Sequence, residues 1–529
     1  MIRRLRLWYP FLFALLPILN TLTRNPGGSR LDDVAAVIGV ALVACAAVYG
    51  ITAAVVRGRW SRALVPPLVL AVILLCYGKS AMGDLSRRVV GAPPVVVLVA
   101  ALGIIALGIW WLARRPRTLD QVNTFFGVSG LLMVVWLGLR IAADQIRARS
   151  VIGRSTLARE LSQPVRAKPP TSFLGAESSR DIYLIVLDEY ANSEVLREQF
   201  QFDNRMFEDS LRQLGFTIPA LVRSNYVHTL LSLPSLLNFS HLTSLTAEVG
   251  AHSTDASLPN HLMENNRTVA FLQERRYQFL FFPSQWWPST SRNPHADWMF
   301  EPWSGFNLGR EATRSDLRRS LLATTVFGLL KQDDAWDADY IERTLAALEH
   351  VPERPGPKFA LAHIVSPHWP YVFEADCRIA TQTPIKGPAH RREAYTGQLH
   401  CLNQLILHTV TTILQRSTPR PVILLQGDHG TNLLRYSDAR SATAVAPAQA
   451  RERFGAFGAY YVPDGGGGLF TDSVTLVNVF QKVLSYYFGA DIAPAPDDLY
   501  MSLERTPYDF AKLDPASLRP LVTHSRSGT

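Results

Sequence analysis

Cysteine is scarce in this chain, with 4 among 529 residues. Cys45 and Cys76 fall inside apolar runs, where a thiol acts as a small inert hydrophobe. That leaves Cys377 and Cys401 in the polar part, and they can pair only if that part lies outside the reducing cytoplasm. Zinc-finger spacing and a base-stacking pattern are both missing, so the formal net charge of +9 does not mark a nucleic-acid binder. There is no internal repeat and no long low-complexity tract. A short glycine run, Gly465 to Gly468, reads as a loop after Pro463-Asp464. Charged residues make up only 18% of the chain, and much of the excess Arg lies in the first third beside apolar runs, where membrane topology accounts for it.

Apolar length is what the first third has in abundance. Residues about 8–24, 33–56, 63–83, 92–113 and 122–142 are each predominantly apolar. Each is about 20 residues, the length that crosses roughly 30 Å of hydrocarbon. Arg3, Arg4 and Arg6 precede the first span, and four more spans follow, which favours an uncleaved helix over a signal peptide. Arg57, Arg59 and Arg62, then Arg114, Arg115 and Arg117, fall on the same side as the N-terminus. Arg24, Arg30, Lys79, Arg87 and Arg88 fall on the other. The bias predicts a cytoplasmic N-terminus, and an odd number of spans then carries the rest of the chain out of the cytoplasm. The third span, with Pro66 and Pro67 near its start, is the weakest, and without it the large domain would lie on the opposite side. The expected organisation is a five-helix transmembrane domain over 1–143, a basic juxtamembrane linker over 144–178 closed by Pro169-Pro170, and an extracytoplasmic domain over 179–529. The linker either lies against anionic headgroups or is simply solvated.

From residue 179 strand and helix patterns alternate, which argues for an α/β domain with a largely parallel sheet. The spacing predicts strands over 181–187, 277–282, 359–365, 421–426 and 455–462, and helices over 193–214, 268–276, 395–416 and 473–488. Two of the strands end on groups fit for chemistry. The first stops on Asp188-Glu189, and the run Val422 to Gln426 stops on Gly427-Asp428-His429-Gly430. Ligands of open α/β sheets sit at the carboxyl ends of strands, and carboxylate and imidazole together suit a divalent metal. A third piece is Asn225-Tyr226-Val227-His228-Thr229, where Thr229 opens a Ser- and Leu-rich run expected to be a helix. Its hydroxyl is either a cap or a nucleophile facing the positive helix end.

The constellation resembles the alkaline phosphatase/sulfatase superfamily, and most of all its membrane-anchored phosphotransferases, the lipoteichoic acid synthases and lipid A phosphoethanolamine transferases. Four features carry the resemblance: Asp188-Glu189 after the first strand, Thr229 three residues before Ser232-Leu233-Pro234, His363 to His368 before Pro370-Tyr371, and Asp428-His429-Gly430. It implies Thr229 as nucleophile and metal ligand, Asp428 and His429 as ligands, an acid ligand from Asp188 and Glu189, and His368 as a catalytic group at the phosphate or leaving group. The sulfatase signature, Cys or Ser then x-Pro-x-Arg, lacks its Arg in Ser232-Leu233-Pro234-Ser235-Leu236, so formylglycine chemistry is not expected. Between His429 and His524 there is no second His of the kind many of the phosphoethanolamine enzymes carry, which puts a second metal site in doubt.

The expected activity is metal-dependent transfer of a phospho-headgroup, of phosphoglycerol or phosphoethanolamine type, from a membrane phospholipid to a cell-envelope glycan or lipid through a phospho-threonine. One divalent ion, zinc or manganese, is the expected cofactor. The expected location is a multi-pass protein of a bacterial-type inner membrane. A membrane-anchored hydrolase with the same Thr229, and an inactive scaffold, are the competing readings. Asn225, His228, Arg310 and Trp369 are candidate substrate contacts. His363 reads as a satisfied core histidine. Trp286, Trp287, Trp298, Trp303 and Trp369 read either as core packing or as an aromatic rim.

Overall fold

The structure is a computed structural model that describes residues 2–24, 31–56, 61–77, 94–167, 180–284, 288–302, 316–325, 335–380, 385, 387–514 and 518. Its contacts divide the chain into two compact units. One comprises residues 1–150 with 305–332, and the other residues 151–304 with 333–529.

In the first unit a helix lies at each of the five apolar spans: α1 (Ile2–Arg24), α2 (Leu31–Val55), α3 (Ser61–Cys76), α4 (Pro94–Ala113) and α5 (Pro116–Arg154). By length and composition, two are long and apolar enough to cross a membrane, Asp33–Val55 in α2 and Pro116–Arg154. Arg62–Cys76 and Val99–Ala113 are shorter apolar helices. The two long helices are not buried core helices. Val43 in α2 is 71% exposed and Leu132 in α5 is 64% exposed, an apolar surface that water would penalise and lipid would not. Ala14, Cys45, Val65 and Val69 form the small packed centre of α1, α2 and α3. Asn123 ties α5 to its neighbours, accepting from Tyr9 Oη at 3.2 Å and donating to the Ala63 carbonyl at 2.9 Å. α5 runs on through the start of the expected linker, and a short helix Thr156–Leu161 follows it, capped by Ser155.

Residues 305–332 were expected to belong to the catalytic domain, yet they group with the N-terminal helices. The reason is a helix between them (Asp316–Thr324) whose Leu317 and Leu321, one turn apart, bury against Ile18, Leu22, Val34, Val37, Ile38 and Ala41. Arg318 Nε bonds Asp33 Oδ1 at 2.7 Å beside them.

The second unit is built on a six-stranded sheet. Its strands are β1 (Ile182–Leu187), β2 (Gln278–Phe282), β3 (Trp298–Met299), β4 (Lys358–Ile364), β5 (Val422–Gly427) and β6 (Gly458–Tyr461), in the order β3-β2-β4-β1-β5-β6. Every pairing is parallel except β5 with β6. β1 is apolar throughout because both its faces are covered. Tyr183, Ile185 and Leu187 join one core with Leu399 and Ile406 of the helix Gly387–Arg416, and Ile182, Leu184 and Val186 join another with Leu233 and Leu236 of the helix Thr229–Asn238.

Several element boundaries differ from those expected, among them the start of the helix Gly387–Arg416, expected at 395. The span 193–214 is two helices, Ser193–Phe200 and Arg205–Gln213, separated where Gln201 takes a left-handed conformation at φ 54°. Ser473–Thr475 is a short strand rather than the start of a helix, because Val474 pairs with Val222 and the helix begins only at Val479. Gly455 to Phe457 precede β6 rather than belong to it, since Gly455 and Phe457 are engaged by Asn192 and Tyr190.

Candidate functional site

The sheet brings the acidic strand ends together. β1 lies between β4 and β5, and Leu187 is level with both Ile364 and Gly427, so Asp188 and Asp428 leave their strands side by side. His363, opposite Val186, lies one residue short of the same edge. The glycines around Asp428-His429 are needed for this packing. A Cβ on Gly427 would sit 2.4 Å from the Tyr190 carbonyl, and one on Gly430 would sit 1.9 Å from that of Glu452. Glu452, itself buried, holds the following loop through Thr431 Oγ1 and the Leu433 and Leu434 amides.

Thr229 is the first residue of its helix, with His228 at the cap position. Its Oγ1 donates to Asp428 Oδ2 at 2.6 Å and lies 3.2 Å from His429 Nε2. One turn on, Ser232 Oγ donates to the Asp428 carbonyl at 2.6 Å, so the helix start is fastened to the end of β5. Asp428 Oδ1 accepts from the amides of Glu189 at 3.3 Å and His429 at 3.0 Å. The Gly430 carbonyl lies 3.1 Å from His429 Nδ1 and can only accept, so Nδ1 carries the proton and the Nε2 lone pair faces the site. Nε2 is also 3.2 Å from Asp428 Oδ2 and 3.8 Å from Asp188 Oδ1.

These groups fit a cation. Asp188, His363 and Asp428 offer ligand atoms that lie within 4.8 Å of one another. Asp188 Oδ1 and both ring nitrogens of His363 are buried without a hydrogen-bond partner among the described residues, and His363 Nε2 is 3.6 Å from Asp188 Oδ2. Leaving such atoms unsatisfied costs about 1–3 kcal/mol each, a cost that coordination would remove. The ionisation pattern agrees. Burial, reinforced by Glu189, pushes Asp188 up to about 8, and burial pushes Asp428 well above the carboxylate range. Burial lowers His363 to about 3 and holds His429 well below its ordinary value. Neutral imidazoles are ready ligands, and buried carboxylates that resist ionisation alone are stabilised by a positive ion.

The other predicted residues fall into different places. Glu189, at φ 60°, turns its carboxylate to the guanidinium of Arg453, with Oε1 2.6 Å from Nη1. His368 lies on the loop after β4, where its amide donates to the Asp188 carbonyl at 3.0 Å. Its Nδ1 bonds the Trp369 carbonyl. Trp369 is 53% exposed on the same loop. The Asn225 side chain is taken up by the Asp498 carbonyl and the Val477 amide, each at 2.8 Å, and so braces two loops. His228 Nδ1 is 3.4 Å from Tyr436 Oη, and burial lowers the ring to about 3. Trp298 packs on Phe282 and Phe300 under Arg354. Cys377 and Cys401 form a disulfide that joins the loop after β4 to the helix Gly387–Arg416. Arg310, Trp286, Trp287 and Trp303 lie outside the described residues.

Two residues of the site escaped the sequence reading. His363 is not a satisfied core histidine, and the signal for it was a lone imidazole near the end of an apolar strand. Arg453, 5% exposed, stands in Arg451-Glu452-Arg453, which reads as a solvated helix turn.

No protein-family model matches the chain. A search of curated proteins also finds no match. Solved structures do match. The integral membrane lipooligosaccharide phosphoethanolamine transferase A (EptA) from Neisseria meningitidis is 12% identical with a TM-score of 0.40, covering 92% of this chain and 96% of its own. The C-terminal periplasmic domain of EptC from Escherichia coli, in complex with Zn, is 12% identical with a TM-score of 0.42, covering 65% of this chain and 90% of its own. A protein of the alkaline phosphatase superfamily from Vibrio parahaemolyticus is 12% identical with a TM-score of 0.38, covering 70% of this chain and 83% of its own. The matched structures thus include members of the superfamily that the motifs resemble. Likeness at 12% identity says nothing of activity, and the chemistry rests on the residues of the site.

Proposed function

We propose that the chain is a membrane-anchored phosphotransferase that moves a phospho-headgroup from a phospholipid to a hydroxyl of a cell-envelope glycan or lipid, with Thr229 as the covalent carrier. The observation that carries this reading is the Thr229 hydroxyl at a helix N-terminus, 2.6 Å from Asp428 Oδ2 and 3.2 Å from His429 Nε2. A hydroxyl held so close to a carboxylate and an imidazole, at the positive end of a helix, is set to lose its proton and to attack an anionic ester.

Asp188, Asp428, His429 and Thr229 would hold one divalent cation, zinc or manganese, with the unsatisfied His363 as a further donor at the same place. The pairing of Glu189 with Arg453 favours Asp188 as the acid ligand. When bound, the ion supplies Lewis acidity that lowers the hydroxyl pKa and offsets phosphate charge. In the first step Thr229 Oγ1 bonds to phosphorus, its proton passes to Asp428 Oδ2, and the bond from phosphorus to the lipid glycerol oxygen breaks. That oxygen takes a proton, with His368 as the donor by position, and diacylglycerol leaves. In the second step an acceptor hydroxyl passes its proton to His368 and bonds to phosphorus, the Thr229 Oγ1–phosphorus bond breaks, and the proton held on Asp428 Oδ2 returns to Thr229. The apolar helices of the first unit would keep the site beside its lipid donor, in a bacterial-type inner membrane with the catalytic unit outside the cytoplasm.

The test is intact-mass measurement of the full-length protein after exposure to phosphatidylglycerol or phosphatidylethanolamine vesicles, with and without chelator, for wild type, Thr229→Ala and Thr229→Ser. A metal-dependent adduct of headgroup mass on wild type, absent from Thr229→Ala, is expected, with turnover of Thr229→Ala lower by on the order of 10³-fold or more. Headgroup release without an adduct would move the reading to a hydrolase. A protein that binds no metal and forms no adduct would end both.

A further inference from the structure

The phosphotransfer reading leaves a buried cation unused. Arg453 belongs to the last turn of the helix Pro447–Phe454. Three bonds fix its guanidinium: Nε donates to the Val227 carbonyl at 2.8 Å, and Nη1 donates to Glu189 Oε1 at 2.6 Å and to the Gly430 carbonyl at 2.7 Å. These partners flank the nucleophile on one side and the Asp428-His429 pair on the other. Tyr436 flanks the guanidinium, its ring centroid 5.0 Å from Cζ, and the remaining nitrogen, Nη2, lies 3.4 Å from His429 Nε2. That is long for a hydrogen bond. It also falls on the lone pair that the proposed ion would take. With that lone pair committed, the N–H of Nη2 that faces His429 is released, beside the same Nε2 from which Thr229 Oγ1 is 3.2 Å away.

Charge leads to the same place. Asp188, Glu189 and Asp428 bring three negative charges to the site when ionised, and Arg453 brings one positive charge. A single divalent cation brings the sum to zero. Without the guanidinium the sum would be negative, and an anionic phosphodiester would be repelled from a buried site. Between His429 and His524 the sequence has no further His with which to hold a second ion.

We propose that Arg453 is the anion-binding residue of this site, resting on the phosphotransfer reading above. Its Nη2 edge receives a non-bridging oxygen of the donor phosphodiester, and then of phospho-Thr229, so that a fixed guanidinium serves where a second metal ion otherwise would. Glu189 is then a positioning residue that aims the guanidinium rather than a metal ligand. No bond is made or broken at Arg453. It donates hydrogen bonds that strengthen as charge builds on the phosphoryl oxygens.

The test is calorimetric binding of inorganic phosphate to the metal-loaded, full-length protein in detergent, with metal content and Tm recorded for each variant. Arg453→Met is expected to keep its metal and bind phosphate about 10- to 100-fold more weakly, as the loss of a charge-assisted hydrogen bond implies. Arg453→Lys is expected to fall between the two, because an ammonium keeps the charge but not the fork. A metal-replete Arg453→Met that binds phosphate within about twofold of wild type overturns the proposal. So does a metal-loaded wild type that binds no phosphate. If Arg453→Met does not fold, a crystal structure of wild type with orthovanadate decides. A vanadate oxygen within about 3.2 Å of Nη2 supports the proposal, and a longer separation overturns it. Arg453-dependent phosphate binding without any phospho-Thr229 adduct would keep the anion site and remove the transferase. An adduct together with unchanged Arg453→Met binding would do the reverse.

Discussion

Asp188 and Asp428 are buried acids, whereas His228, His363 and His429 are buried bases, and burial acts on the two sets in opposite directions. The carboxyls titrate above their unfolded values and the imidazoles below theirs. Below about pH 6.5 the two sets oppose each other, since unfolding lets imidazoles take up protons and lets carboxyls release them. As pH rises past that value the unfolded imidazoles lose their protons too, and the difference in the carboxyls comes to dominate. The folded protein then holds protons that the unfolded chain has already lost, so its stability falls as pH rises towards the Asp188 value of about 8. Thermal unfolding of chelator-treated protein should show this loss between pH 6.5 and 8, on the order of 2 kcal/mol, and saturating metal should abolish it. A flat profile without metal would refute the account of the carboxyl pair. Residues of this kind were legible in the sequence only where position isolated them. Asp428, His429 and Thr229 stand at the ends of apolar runs, and chemistry is conspicuous there. His363 lies inside such a run, and Arg453 among other charges, so only the register of β4 and the fold of Pro447–Phe454 bring them into the site.

At the scale of elements, the site depends on how closely the strand ends and the loop beyond them pack. Gly430 has the Glu452 carbonyl where a Cβ would lie, at 1.9 Å, and that carbonyl is backbone, which cannot swing away as a side chain would. Gly430→Ala should therefore displace the Asp428-His429 turn and cost about 3 kcal/mol, measurable as a lower Tm and, in the same protein, weaker metal retention. A variant with unchanged Tm would show that the loop has slack. Strands were legible because continuous apolar runs are bounded by polar ends, as with β1 and β5. Breaks within helices were not. A one-residue left-handed kink at Gln201 leaves the helical pattern of 193–214 intact, and Ser473–Thr475 becomes a strand only because Leu221–Arg223 lies alongside it. Both outcomes depend on tertiary partners that local sequence does not contain.

At the scale of the whole molecule, the helix Asp316–Thr324 ties a distant stretch of the chain to the N-terminal helices. It packs on Ile18 and Leu22 near the end of α1, and on Val34, Val37, Ile38 and Ala41 in the first half of α2. The arginine bias predicts that the N-terminus and the loop after α1 lie on opposite faces of the membrane. A membrane-impermeant thiol reagent added from outside should label a cysteine placed at Gly27 and not one placed at Leu5, and the reverse pattern would invert the topology. The same helix makes the chain pass between its two units three times, at 150/151, 304/305 and 332/333. Severing one covalent link is then not enough to shed the enzyme. If a protease site is introduced between residues 161 and 180 and cut, the fragment beyond it still carries Leu317, Leu321 and Arg318, and these stay seated on α1 and α2. The cut protein should sediment with the membrane, and should be released into the supernatant only when Leu317 and Leu321 are replaced by aspartate.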